Sequence, residues 1–247
     1  MLTMSFQQIS ILKIAEVKSF CIFASITNIH DFMAKNYLYC YKMTYDTGFA
    51  PNPEHNVLTL ATCKPTIRRC ATPGTWISGW TAVKVHPTEN GRPIDFGKNE
   101  KLIYLAKISK SIPFAEYWNE YKEKRPKKIG SGRSSATKGC SGSKDDTNMY
   151  DCGDNIYEPI KGKINKFIQH ENGGGHGEKA IEHDLNGKNV LICEEFYYFS
   201  AKKAIEITNK GFDVPRCKKI PLEDERAKKI IEYVTNNYTK GINPQHL

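Results

Sequence analysis

No stretch of this chain approaches the roughly 18–20 uninterrupted apolar residues that a membrane-spanning helix needs, so a helical membrane protein is excluded. Its eight cysteines show no CxxC pairing, which argues against a structural zinc site. The common catalytic signatures are missing too. There is no GxxxxGK loop of a P-loop enzyme, no GxSxG elbow, no HExxH, and no HxE with a downstream PCxxC; P-loop kinases, serine hydrolases of the elbow type, zinc proteases and zinc deaminases are thereby disfavoured. Gly and Pro, at 18 and 12 of 247 residues, are near background, which excludes collagen-like and low-complexity classes. The first ten residues carry no basic side chain, so no secretory leader is expected.

What is present is a folding chain with a basic balance. Apolar residues make up 39% and aromatics 11%, enough to offset the ordering entropy of a packed domain. The formal charge is +9, from 36 basic and 27 acidic residues, and favours anionic partners such as nucleotides or nucleic acid. Cys21, Cys40, Cys63 and Cys193 lie in apolar runs, where a thiol packs as a small hydrophobe. Reduced cysteines and a cytoplasmic setting are expected.

Residues 1–35 read as an N-terminal extension, an amphipathic helix at most, with Met33-Ala34-Lys35 resembling a natural start. Residues 36–247 read as one domain. Aromatic and β-branched runs predict strands at Tyr37–Tyr45, Val57–Cys63, Thr75–Val83, Leu102–Ile108 and Asn189–Ser200. Phe114, Tyr117, Trp118 and Tyr121 fall on one helical stripe after Pro113. Pro221 with the acids after it predicts the start of a helix whose face is Ala227, Ile230, Ile231 and Val234. The basic, Ser/Gly-rich stretch 122–150 is expected to be a solvated loop. Strands do not alternate strictly with helices, so the class is α+β: a β-rich fold, either a PUA-like barrel or a strongly bent mixed sheet, with two or three peripheral helices.

Several polar clusters are candidates for chemistry. Asp46, Gly48 and Asn52 lie in a Gly/Pro-rich turn and can address a sugar or a base edge; Lys64, Arg68 and Arg69 offer donors to phosphate. Trp76 and Trp80 can stack a base, a contact worth roughly 1–3 kcal/mol. The same residues also fit a capped turn, a solvated basic strand end and two core tryptophans. Asp154, Asn155 and Tyr157 form a second polar turn. His183 and Asp184 suggest a base and its partner, or a structural turn. The loop Gly173–Gly177, GGGHG, reads as a tight turn rather than a phosphate cradle. No metal site and no particular cofactor is indicated.

The motifs YDTGFAPNP, LTLATCKPTIRR, PGTWISG, LIYLAKIS, PFAEYW, GDNIY and HD…NVLICEEFYYF occur in this order over about residues 36–200. In them the chain resembles the nucleotide modification associated domain family, second numbered type, of bacteria and phages. The resemblance implies a context of DNA-base modification or phage defence, and motif positions at Asp46, Gly48, Asn52, Lys64, Arg68, Arg69, Asp154, Asn155, Tyr157, His183 and Asp184. At the level of fold it is also similar to PUA-like domains of the ASCH and EVE branches. A protein that recognises a phosphate-bearing, modified nucleotide is the first functional expectation. The alternatives are a transferase or hydrolase acting on such a nucleotide, with His183, Asp184, Asp46 and Asp154 as titratable candidates, and a structural adaptor between proteins.

Overall fold

The computed structural model describes residues 36–87, 92–129, 149–173, 176–207 and 219–243. The expected N-terminal extension and most of the basic loop lie outside them. Strands and helices follow in the order β1 (Tyr37–Tyr45), β2 (Leu58–Leu60), α1 (Pro65–Cys70), β3 (Trp76–His86), β4 (Ile94–Asp95), β5 (Leu102–Lys107), β6 (Lys110–Pro113), α2 (Phe114–Glu120), β7 (Lys128–Ile129) and β8 (Met149–Tyr150). After these come β9 (Tyr157–Pro159), β10 (Phe167–Gln169), α3 (Ile181–Leu185), β11 (Asn189–Cys193), β12 (Glu195–Tyr198), β13 (Lys219–Pro221), α4 (Glu225–Asn237) and β14 (Gly241–Ile242).

The larger sheet runs β13-β1-β3-β5-β12-β14, with β4 paired to β3. It is mixed: β1 and β3 are parallel, as are β12 and β14, and the other pairs are antiparallel. The class is α+β. Among the described residues this sheet has β13 and β14 at opposite edges, which shows the mixed sheet and no closed barrel. A second sheet, β2-β11-β6, is antiparallel throughout.

Both faces of the larger sheet are covered, which is why its strands are apolar on both sides. Along β1 the side chains alternate. Leu38 and Cys40 pack with Trp76, Trp80, Leu105 and the α4 residues Ala227, Ile230 and Val234. Tyr39, Tyr41 and Met43 pack the other way, with Leu58, Leu60 and Leu191 of the second sheet. Gly79 is required between the layers. A Cβ there would stand 2.3 Å from Met43 Sδ and 2.4 Å from the Tyr104 ring.

Three expectations are corrected. The run Asn189–Ser200 is two strands, because the chain breaks at Glu194 and passes from the small sheet to the large one. Pro221 ends β13, and the last helix begins later, at Asp224, whose side chain accepts the Arg226 N–H as an N-cap. The stretch after Tyr121 is not uniformly solvated either. Lys124 is 1% exposed, and its Nζ donates to Asn52 Oδ1 at 2.8 Å, to Asn52 O at 3.1 Å and to Val57 O at 2.7 Å. Burial pulls the Lys124 ammonium down to about 8, with the Asp154 charge opposing. Among the described residues no helix is long and apolar enough to cross a membrane. Cys40, Cys63, Cys70 and Cys193 are free thiols.

Lys124→Ala should cost about 3 kcal/mol or more in urea unfolding, because it leaves three carbonyl acceptors and the Asp154 charge buried without their cation. The exposed Lys128 is the control, and its alanine variant should cost no more than about 0.5 kcal/mol. Equal costs at the two positions would contradict the clamp.

Candidate active site

Beyond β2 the chain turns sharply. Cys63 and Lys64 both adopt left-handed conformations, with φ of 56° and 42°, before Pro65 opens α1. Two consecutive non-glycine residues in this region cost of order 1–3 kcal/mol each and need fixing from outside. Hydrogen bonds on both sides of Cys63 supply that. Its N–H donates to Asp184 Oδ1 at 2.7 Å, and its carbonyl accepts from Arg68 Nε at 2.7 Å.

Arg68 is fully buried. Besides the Cys63 carbonyl it donates from Nη1 to Asn189 O at 2.8 Å and from Nη2 to the Asp184 carbonyl. Its planar fork therefore ties α1, α3 and β11 together. The guanidinium lies where a side chain of residue 187 would be. A Cβ on Gly187 would come within 2.4 Å of Arg68 Cζ.

The carboxylate of Asp184, buried on α3, is the meeting point. Oδ2 accepts the Tyr157 hydroxyl at 2.8 Å and faces His176 Nδ1 at 2.8 Å. The other ring nitrogen, Nε2, faces Cys63 Sγ at 3.6 Å. The backbone of His176 is itself clamped: its carbonyl accepts from Gln169 Nε2 at 2.6 Å and Asn172 Nδ2 at 3.0 Å. The Phe49 ring packs against the imidazole, 4.9 Å between centroids. The result is a relay of thiol, imidazole and carboxylate.

Burial alone disfavours a charged His176, but the hydrogen bonds with Asp184 and Cys63 and the negative charge of Asp184 outweigh it and push the imidazole up from 6.5 to about 10. Burial likewise opposes the Asp184 carboxylate. The His176 hydrogen bond and charge, with the Tyr157 and Cys63 donors, hold it below the usual carboxylate range. The Cys63 sulfur therefore faces a cation at neutral pH. The three groups do not converge as metal ligands would, since sulfur and carboxylate lie against opposite nitrogens of one ring. Among the described residues no such metal cluster occurs.

Cys63, Lys64 and His176 open onto a cleft of about 350 Å³, with Tyr41, Tyr45 and Phe49 among its other walls. Lys64 Nζ lies over the Tyr41 ring, 4.6 Å from its centroid.

The candidates named from sequence divide sharply. Lys64 lines the cleft; Gly48, with φ of 82°, sits in the turn between two lining residues, Thr47 and Phe49. Asp184 and Tyr157 stand behind His176. Arg68, expected on phosphate, has its donors committed to carbonyls, and the exposed Arg69 bonds Asn186 Oδ1 at 3.0 Å, so the two arginines share no cleft. Asp46 is buried and accepts from the Tyr198 hydroxyl at 2.8 Å and Ala201 N at 2.5 Å; burial raises it to about 6 against those bonds. Asn52 donates to Cys152 O at 2.6 Å. Asn155 caps the end of α2 through the carbonyls of Tyr117 and Tyr121. Asp154 accepts from Tyr117 and Thr59 at 2.6 and 2.7 Å, and burial raises it. Trp76 and Trp80 are core residues beneath α4. His183 points into solvent on α3, one residue from the carboxylate it was expected to serve. Cys63 and His176 were not singled out: 113 residues separate them, and the only signals were a Cys-Lys-Pro turn and a histidine in a glycine loop.

An α+β protein with a Cys–His–Asp relay in a small cleft is the class that fold and site define. The chain belongs to the nucleotide modification associated domain 2 family, whose model matches residues 35–242. No curated protein and no solved structure matches it.

Folding raises the His176 pKa, so the stability it contributes is whole below about pH 6.5 and is lost as pH rises through about 10. Asp184 works the other way, contributing above 3.8 and losing its share as pH falls through its lowered folded value. The difference in Tm between wild type and His176→Gln should therefore shrink from pH 6.5 to pH 10. A difference independent of pH in that window would count against a charged imidazole. Gly187→Ala should lower stability by about 2 kcal/mol or more, since the guanidinium beside it is fixed by three carbonyls and has no room to withdraw; a neutral outcome in thermal melting would show that Arg68 is free to move.

Proposed function

We propose that this protein is a cysteine-dependent enzyme of nucleotide modification, a transferase or hydrolase that works through a covalent thioester. The observation that carries the reading is the array Cys63 Sγ–His176 Nε2 at 3.6 Å and His176 Nδ1–Asp184 Oδ2 at 2.8 Å, opening on a cleft. Membership of the family supports a nucleotide or nucleic-acid substrate, as does the charge of +9.

In this reading the Cys63 thiolate attacks an acyl carbon and forms the carbon–sulfur bond. The imidazolium gives its Nε2 proton to the leaving amine or alcohol as the acyl bond breaks. The neutral imidazole then takes a proton from water or an acceptor amine, which attacks the thioester and releases Cys63. Asp184 accepts the Nδ1 proton's hydrogen bond throughout and keeps the ring turned toward sulfur. Arg68 holds Cys63 and Asp184 at a fixed separation through their carbonyls and is a positioning residue.

Alkylation by iodoacetamide at pH 7, followed by peptide mass spectrometry, tests this without knowledge of the substrate. Cys63 should react faster than the exposed Cys70, and His176→Gln should slow Cys63 by roughly tenfold or more while leaving Cys70 unchanged. If Cys63 reacts no faster than Cys70, and does so regardless of residue 176, the enzyme reading fails.

A further inference from the structure

We propose that the mouth of the Cys63 cleft is a nucleotide subsite in which Tyr45 stacks the base and Lys64 meets the phosphate. The inference rests on the cysteine-enzyme reading for its location and adds the chemistry of what is bound there.

Tyr45 is the last residue of β1, beyond an irregularity in its pairing with β3 after Met43. It lines the cleft and is nonetheless 47% exposed. Its ring is already stacked on His86, centroids 4.8 Å apart and planes 18° from parallel. A large aromatic side chain kept in solvent at a cleft mouth contributes little to the core. With its plane fixed by a second ring, it offers a preorganised surface for another flat, apolar face. Nucleobases are such faces, and the stacking is tolerant of which base is present.

The charge of the cleft points to an anion. Among the described residues none of its lining side chains is an acid. Lys42, on the same wall, is paired with Glu100, but among the described residues no carboxylate pairs with Lys64. Its ammonium lies over the Tyr41 ring, held beside the nucleophile in the next residue. A cation that meets no carboxylate among the described residues favours a phosphate or carboxylate group as its partner. The cleft volume, about 350 Å³, is at the small end of ligand pockets and suits one nucleotide. Cys63 lines the same cleft as Tyr45 and Lys64, so the group to be transferred is carried on the nucleotide itself.

One chemistry, a base with its phosphate, can come from two sources: a free mononucleotide or a nucleotide within a single strand. Fluorescence quenching of 2-aminopurine distinguishes them, with 2-aminopurine riboside 5′-monophosphate in one arm and a short oligothymidylate holding one 2-aminopurine in the other. The full chain should quench at least one probe saturably, and the tighter arm identifies the source. Tyr45→Leu should weaken binding roughly tenfold, with Tyr45→Phe retaining it. Lys64→Ala should weaken it roughly fivefold at low salt, and by less at high salt. The two Tyr45 variants should melt near the wild-type temperature, since Tyr45 is exposed. Saturable quenching that survives Cys63→Ala supports the subsite independently of catalysis. No saturable quenching with either probe, or quenching indifferent to Tyr45→Leu, overturns the subsite while leaving the reactivity of Cys63 to be judged by alkylation.

Discussion

The buried carboxylate of Asp184 holds the candidate site together. It takes hydrogen bonds from the Cys63 backbone, the Tyr157 hydroxyl and the His176 ring, which stand 121, 27 and 8 residues from it in sequence. A charge taken out of water is tolerated only where such donors and a counter-ion replace the solvent. Here the counter-ion is the imidazole that faces the thiol. The requirement that Asp184 be paired therefore also keeps His176 protonated. Stability and the proposed reactivity draw on the same contact.

Around this hub the backbone is tied by side-chain hydrogen bonds. Arg68 fixes the carbonyls of Cys63 and Asp184, Gln169 and Asn172 fix the carbonyl of His176, and the strands β2 and β11 bring the two halves side by side. Positioning of this kind is what allows a left-handed Cys63 to persist. A second polar cluster, of Lys124, Asn52, Asp154, Tyr117 and Thr59, is as deeply buried. Its members bond one another and the Val57 and Cys152 carbonyls, and it joins the segment after α2 to the turn before β2.

Much of the architecture was legible in the sequence because it is written in local patterns. The aromatic alternation of β1, the apolar β5 and the 3.6-residue stripe of α4 specify their elements within a few residues. The division at Glu194 was not, because an apolar run says nothing about which sheet each half joins. The site was legible in part. Asp184, Tyr157 and Lys64 were named, but Arg68 was assigned to phosphate because an arginine's burial depends on what lies opposite it, here the missing side chain of Gly187. Cys63 was taken for a small hydrophobe on the strength of its apolar neighbours. Its turn, and a histidine 113 residues away, give it its setting, and neither can be read from spacing.

The protonation of His176 can be observed directly. Nitrogen-15 NMR of the imidazole in the full chain at pH 7.5 should show both ring nitrogens protonated, with the Nδ1 proton shifted far downfield by Asp184. A neutral ring titrating near its ordinary value of 6.5 would contradict the account, because no cation would then stand beside the sulfur.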